Sequence, residues 1–257
     1  MDATFEQAHA EAQPSRSADK RVLKGLLHWL PLACLVLLAG WLAVGAFAVG
    51  STNLYAYALR TWHERWADDS VTWLTRDNLQ VAEQVSGSML ITGADVAFYQ
   101  TLAAKQAEWR NFYQLVLASD TEDKPLVNQH NLQQAYAHYY EAIRLRPSWP
   151  DSYVAVARNR IQAGEPTDQW YPWLEQALAI APSGLSSLMG AAELGLRFWP
   201  ELSSDQRRQV SSALFTLVDY PAAMWMFNRQ LVDAEARQRA CALLQFSKHV
   251  AAKPFCK

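Results

Sequence analysis

AYAHYYEAIRLRPSWPDSYVAVARNRIQAGEPTDQWYPWLEQALAIAP, residues 135–182, contains one pattern twice. Ala135, Tyr139, Ala142 and Pro147 stand at offsets of 4, 3 and 5, and Trp170, Leu174, Ala177 and Pro182 repeat those offsets thirty-five residues later. Offsets of 3 and 4 keep side chains on one face of a helix. The period and the closing proline match the second helix of a tetratricopeptide repeat, whose usual period is about 34 residues. A small Ala lets the second helix press on the first, an aromatic or Leu fills the space below, and Pro stops the helix. Tyr153, Val156 and Ala157 fit the apolar positions of the next first helix, Gly164 fits its turn, and the extra residue falls within Glu165–Asp168. A third copy begins at Leu188, Ala191, Ala192 and Gly195 and then drifts. At least three units are needed to bury a continuous core, so helices before 119 and after 203 are expected to act as irregular repeats or caps.

Outward from the repeats, the sequence predicts helices near Asn131–Leu145, Pro150–Ala163, Gln169–Ile180, Leu185–Phe198, Ser204–Val218, Ala222–Gln230 and Ala234–His249. Ser203 followed by Gln206 has the spacing of a capping box, in which hydroxyl and amide satisfy opposed backbone donors. Upstream, Val71–Leu90 and Ala94–Ala118 read as a pair, with Gly87 and Gly93 near their break. Ser119–Pro125 reads as the longest loop, and Leu54–Trp66 as an outward extension of a preceding helix.

That preceding helix is the strongest feature of the N-terminal part. Gly25–Leu59 lacks Asp, Glu, Lys and Arg, and within it Trp29–Gly50 is almost wholly apolar. Twenty-two residues reach roughly 33 Å at about 1.5 Å each, enough for a hydrocarbon core of about 30 Å. Trp29 at one end and Tyr55 and Tyr57 past the other suit the interfaces, and Pro31 lies near the helix start, where a missing N–H does least harm. Ala46–Ala48 resembles a signal-peptide cleavage site, but a signal has a shorter apolar region and a shorter leader, which favours an uncleaved anchor. Arg16, Lys20, Arg21 and Lys24 outnumber the nearby Arg60 and Arg65, so the N-terminus is expected in the cytoplasm. The expected organisation is thus a disordered cytoplasmic tail over 1–24, a transmembrane helix over 25–50 in contact with the lipid bilayer, and a helical-repeat domain over 51–257 outside the cytoplasm, in the periplasm if the cell is bacterial. The fold class is all-α: one transmembrane helix, then a tetratricopeptide-like α-solenoid.

Composition agrees. Apolar residues make up 51% of the 257, aromatics 12% with eleven Trp, far too many for a disordered chain. A net charge of −2 with scattered Lys and Arg excludes the basic stripe that nucleic acid demands.

AIRLRPSWPDSYVAVARNRIQAGE and AIAPSGLSSLMGAAELGLRFWPELSSDQRRQV resemble VpsP-type polysaccharide biosynthesis accessory proteins of Gram-negative bacteria. The resemblance covers roughly 30–220 and is clearest from about 135 to 212. It implies one inner-membrane helix, a periplasmic helical-repeat domain, and a role beside glycosyltransferases or polysaccharide-export subunits. It carries no catalytic motif to transfer. The connector at 119–130 and the cysteine-bearing C-terminus depart from the pattern.

Chemistry is sparse. No C-x-x-C or H-E-x-x-H occurs, and His63–Glu64 lacks a second His. His138, beside Glu141, reads as part of a solvated helix face. G-x-S-x-G and phosphate-cradling glycine loops are missing too. Asp68 and Asp69 are adjacent and read as a cap or turn. No catalytic residue, cofactor or metal is expected. Cys34 lies in the apolar stretch and reads as filler. Cys241 and Cys256 fall outside the cytoplasm, where a disulfide would pin 248–257 onto the last helix; two free thiols are the alternative. Trp170, Tyr171 and Trp173 cluster at one helix start, and Trp225, Met226 and Phe227 at another; of the first group, one of Tyr171 and Trp173 is expected to face solvent or a partner.

In repeat solenoids the inner face of each first helix meets a partner segment. Motif register puts Arg158, Gln162, Glu193 and Arg197 on that face. The expected function is a non-catalytic, membrane-tethered adaptor for exopolysaccharide biosynthesis or export. The rivals are an assembly or stability subunit of another inner-membrane complex and, less well supported, an enzyme acting on glycan.

Overall fold

The computed structural model describes residues 16–117, 124–248 and 256. Among these, every regular element is helical: α1 Arg16–Asp68, α2 Ser70–Trp73, α3 Arg76–Gly93, α4 Ala97–Phe112, α5 Lys124–Leu145, α6 Pro150–Gln162, α7 Thr167–Ile180, α8 Leu185–Arg197, α9 Ser204–Val218, α10 Pro221–Gln230 and α11 Ala234–Phe246. A π-helical turn, Tyr113–Leu117, follows α4, and a 3₁₀ turn, Trp199–Glu201, follows α8. The chain divides into two units, Met1–Gly50 and Ser51–Lys257.

In the first unit, residues 16–24 are helical, not the unstructured end of a tail over 1–24; residues 1–15 lie outside the described residues. The helix from Trp29 is long and apolar enough to cross a membrane, with a mean hydropathy of 2.5 over its best window and none of that window buried. Nearly every side chain from Trp29 to Gly50 is exposed, Cys34 included. A helix that is apolar all round yet exposed suits a lipid environment.

In the second unit the pattern changes at once. Thr52, Ala56, Leu59, His63 and Trp66 are all buried, spaced by alternating four and three residues, which makes one buried stripe along the helix. Trp66, Leu59, Leu79, Met89 and Leu102 form a cluster from the end of α1, α3 and α4. The expected helix Val71–Leu90 is two: α2 ends at Trp73, and Thr75 caps α3 by accepting the Asn78 N–H. Asp69 caps α2 through the Thr72 N–H at 3.1 Å. Lys124 and Pro125, assigned to the connector, belong to α5; its remainder, 119–123, lies outside the described residues.

From α4 to α9 each helix packs on its successor: α4 on α5, α5 on α6, α6 on α7, α7 on α8, α8 on α9 and α9 on α10, with α6 also reaching α8 and α11 reaching α8 and α9. All six non-proline repeat positions are buried: Ala135, Tyr139, Ala142, Trp170, Leu174 and Ala177 are each at most 1% exposed. Pro147 and Pro182 lie just past the ends of α5 and α7. Gly164 takes φ +76°. Its N–H reaches the Ile161 carbonyl while the Glu165 N–H reaches that of Arg160, the Schellman closure that favours glycine. Gly195 serves close approach: a Cβ there would overlap the Val210 methyls of α9. The capping box at Ser203 and Gln206 is formed in both directions. Cys241 and Cys256 are joined by a disulfide, Cα to Cα 5.3 Å.

Candidate cleft of the helical unit

Three of the four residues assigned to an inner groove do not line the main concavity. Arg158 of α6 forms an ion pair with Glu193 of α8, so its charge is already matched. Arg197 is exposed, its guanidinium 5.4 Å from the Phe198 ring centre. Only Gln162 reaches the large cleft, a space of about 1040 Å³. Motif register ranks the faces of a helix but cannot see which charges pair across helices.

The cleft is built by the end of α1, by α4, by the π-helical turn and by α5. Its apolar wall is aromatic, with Trp66, Phe98, Trp109 and Phe112. Trp109 stands edge-on to both Trp66 and Phe112, at 5.8 Å between centres in each case, the arrangement ring quadrupoles favour. Its polar groups are Arg60, His63, Glu64, Lys105, Glu108, Asn111 and Asn128. Arg60 and Glu64 pair one helical turn apart at 2.8 Å; being exposed, that pair contributes little stability. Lys105 is exposed.

Below this rim lies a buried polar network. His63 is 6% exposed and bonds through Nε2 to Oε1 of Gln106 at 3.0 Å. Burial pushes its pKa down to about 4, the Gln106 bond working the other way, so the ring is neutral at pH 7. With Nε2–H donating to Gln106, Nδ1 is a lone-pair acceptor; it has no protein partner, and neither does the Gln106 amide nitrogen or Asn111 Oδ1. Asn111 donates instead to Asn128 of α5 at 2.9 Å.

Glu108 is the central group. Burial raises its carboxyl to about 7, against a hydrogen bond from Tyr139 and the charges of Lys105 and Arg158. The Tyr139 hydroxyl donates to Glu108 Oε2 at 2.9 Å, and burial raises that phenol further still. Thus a repeat position expected only to fill space also holds a carboxylate. His138 does not sit on a solvated face: half-buried, it bonds to Gln100 Oε1 of α4 at 2.8 Å. Arg110 reaches Asn131 and Gln134 of α5.

Among the described residues no three of His, Cys, Asp and Glu gather as a metal site requires. Of the aromatics, Tyr171 is buried, and Trp173 is partly covered by the rings of Tyr136 and Tyr153. In the second aromatic cluster Phe227 is buried and Trp225 is exposed, the Arg229 guanidinium lying 5.0 Å from its ring centre. The cleft therefore offers ring faces, a neutral imidazole, amides, the Glu108 carboxyl raised to about 7, the Arg60–Glu64 pair and the Lys105 cation. Such groups are chemically able to hold and orient a partly apolar, hydrogen-bonding ligand. No protein-family model and no curated protein matches this chain.

Proposed function

We propose that the chain is a membrane-tethered, tetratricopeptide-like adaptor, anchored by residues 25–50 in a bacterial inner membrane with the helical unit in the periplasm. Its cleft holds a segment of a partner protein. The observation that carries this reading is the cleft itself: about 1040 Å³, aromatic on one side, with buried polar atoms that no other protein group satisfies. A pocket of that size and mixed lining suits a binding surface. The solenoid reading is supported by three successive helix pairs, α4–α5, α6–α7 and α8–α9, in which the repeat positions of α5 and α7 are buried. The periplasmic side is supported by the Lys and Arg excess before the apolar stretch and by the Cys241–Cys256 disulfide, a bond that oxidising compartments keep. The polysaccharide link is supported by the family resemblance alone.

The test is a detergent pull-down of the full-length chain from its native membranes, beside a Lys105→Glu, Gln162→Glu double variant. Glycosyltransferase or polysaccharide-export subunits should co-purify with the parent and be lost with the variant, while the helical circular dichroism is retained. Equal capture by both would remove the cleft from the reading. Capture of an unrelated membrane complex would end the polysaccharide assignment and favour an assembly subunit.

A further inference from the structure

We infer that the turn between α3 and α4 is itself a point of contact with the lipid surface. The inference takes Trp29–Gly50 as a membrane span, as proposed above, and adds a second point of membrane contact. Three observations converge on it.

The first is position. The Thr52 hydroxyl is hydrogen-bonded to that of Thr92 at the end of α3. Tyr99 of α4 donates to Asn53 Oδ1 at 2.7 Å. Gly93 lies so close to Tyr99 and Thr52 that a Cβ there would overlap both. The α3–α4 turn is therefore fixed to residues two and three places beyond Gly50. Even a fully extended chain puts Thr52 no more than about 7 Å from Gly50, and a helical one about 3 Å. The interfacial layer beyond the hydrocarbon is about 5–7 Å deep on each side. Connectivity and these contacts together bring this turn within reach of the headgroup layer.

The second is exposure. Leu54 is 65% exposed, Tyr57 70%, Ile91 82% and Val96 39%, and each lies within a few residues of those contacts. The third is charge. Ser51–Leu59 carries no Asp, Glu, Lys or Arg, and Gln84–Ala104 carries only Asp95. Single exposed apolar residues are ordinary, but a charge-poor junction of three segments beside an apolar stretch matches an interfacial surface, where Tyr also prefers to sit.

The experiment uses the full-length chain in liposomes, with Cys34→Ser as background and the native disulfide retained. Single cysteines carrying an environment-sensitive fluorophore are placed by Ile91→Cys, Val232→Cys and Val44→Cys. The 91 label should emit blue-shifted light and lose emission when lipids bearing a shallow nitroxide are included; the 232 label, in the α10–α11 turn, should do neither. Water-like emission at 91 with lipid quenching at 44 would overturn the turn's lipid contact and leave the span standing. A blue shift at 91 without lipid quenching would assign the surface to a protein neighbour and also overturn it. No quenching at 44 would remove the span, and the turn's lipid contact with it.

Discussion

Helices α5 and α7 carry the same repeat at the same offsets, yet their surroundings differ in kind. At the first position α5 has Ala135 where α7 has Trp170, and at the second Tyr139 where α7 has Leu174; all four are essentially inaccessible. In α7 the pair is apolar and its neighbours are too: Trp170 packs against Phe198 at 5.5 Å between ring centres. In α5 the larger residue brings a hydroxyl, and that hydroxyl holds Glu108. The division runs through the whole helical unit. Buried polar side chains occur at Thr52, His63, Ser86, Gln100, Gln106, Asn111, Asn131, Ser152, Asn159 and Ser187, and beyond Ser187 there are none among the described residues. One end is thus a largely apolar core, although Asn228 Oδ1 of α10 is buried there without a protein partner, and the other holds a polar network under a cleft. Unsatisfied buried polar atoms cost stability, and such a cost is usually kept where it serves binding.

The contrast can be broken at several points. The largest effect is expected from Trp170→Ala, which empties a fully buried site in the apolar half and should cost about 3–5 kcal/mol by urea unfolding in detergent. A loss below about 1 kcal/mol would mean that this half is loosely packed.

Tyr139→Phe should cost about 1–3 kcal/mol at pH 8, because an ionised Glu108 loses its donor. The same change removes the bond that lowers the Glu108 pKa, so an infrared titration of the carboxyl should move up from about 7. An unmoved titration would dissolve the link between the two residues.

Two glycines separate the halves by packing. Gly195→Ala meets Val210 and should destabilise by about 1–3 kcal/mol despite better helix propensity. Gly87 of α3 has nothing within 4 Å of an added Cβ, so Gly87→Ala should stabilise by about 0.5–1 kcal/mol. Equal signs in thermal unfolding would contradict the close approach of α8 and α9.

A further effect depends on pH. Glu108 titrates near 7 when folded against an ordinary 4.5, so the native state binds more protons between those values. Its stability contribution is complete below about 4.5 and is lost as pH rises through 7. Glu108→Gln should therefore be more stable than the parent at pH 8, with the difference closing by pH 5. His63 acts in the opposite sense, losing stability as pH falls from 6.5 towards 4; it is common to both proteins and cancels from the comparison. A difference independent of pH would show that Glu108 ionises normally.

Much of the architecture was legible because it is written locally. The Ser203–Gln206 cap, the Gly164 turn and the prolines after α5 and α7 each depend on residues a few places apart. The break at Leu74–Thr75 was missed because the apolar run hides it, although Thr75 three residues before Asn78 has cap spacing. The groove residues were placed by register, which ranks faces of a helix but not partners across helices; hence the Arg158–Glu193 pair went unseen. Glu108 gave no signal at all, as one carboxylate among twenty-five acidic residues.

By itself the sequence determined a single long apolar helix and the order of the helices after it. Those follow from periodicity and from the length of an uncharged run, both properties of neighbours along the chain. Only the tertiary structure decided that Tyr139 meets Glu108, that His63 stays neutral, and that α4, α5 and the end of α1 enclose a cleft. Burial and its effect on proton affinity arise from groups brought together across tens of residues, and no local pattern encodes how deeply a side chain is covered.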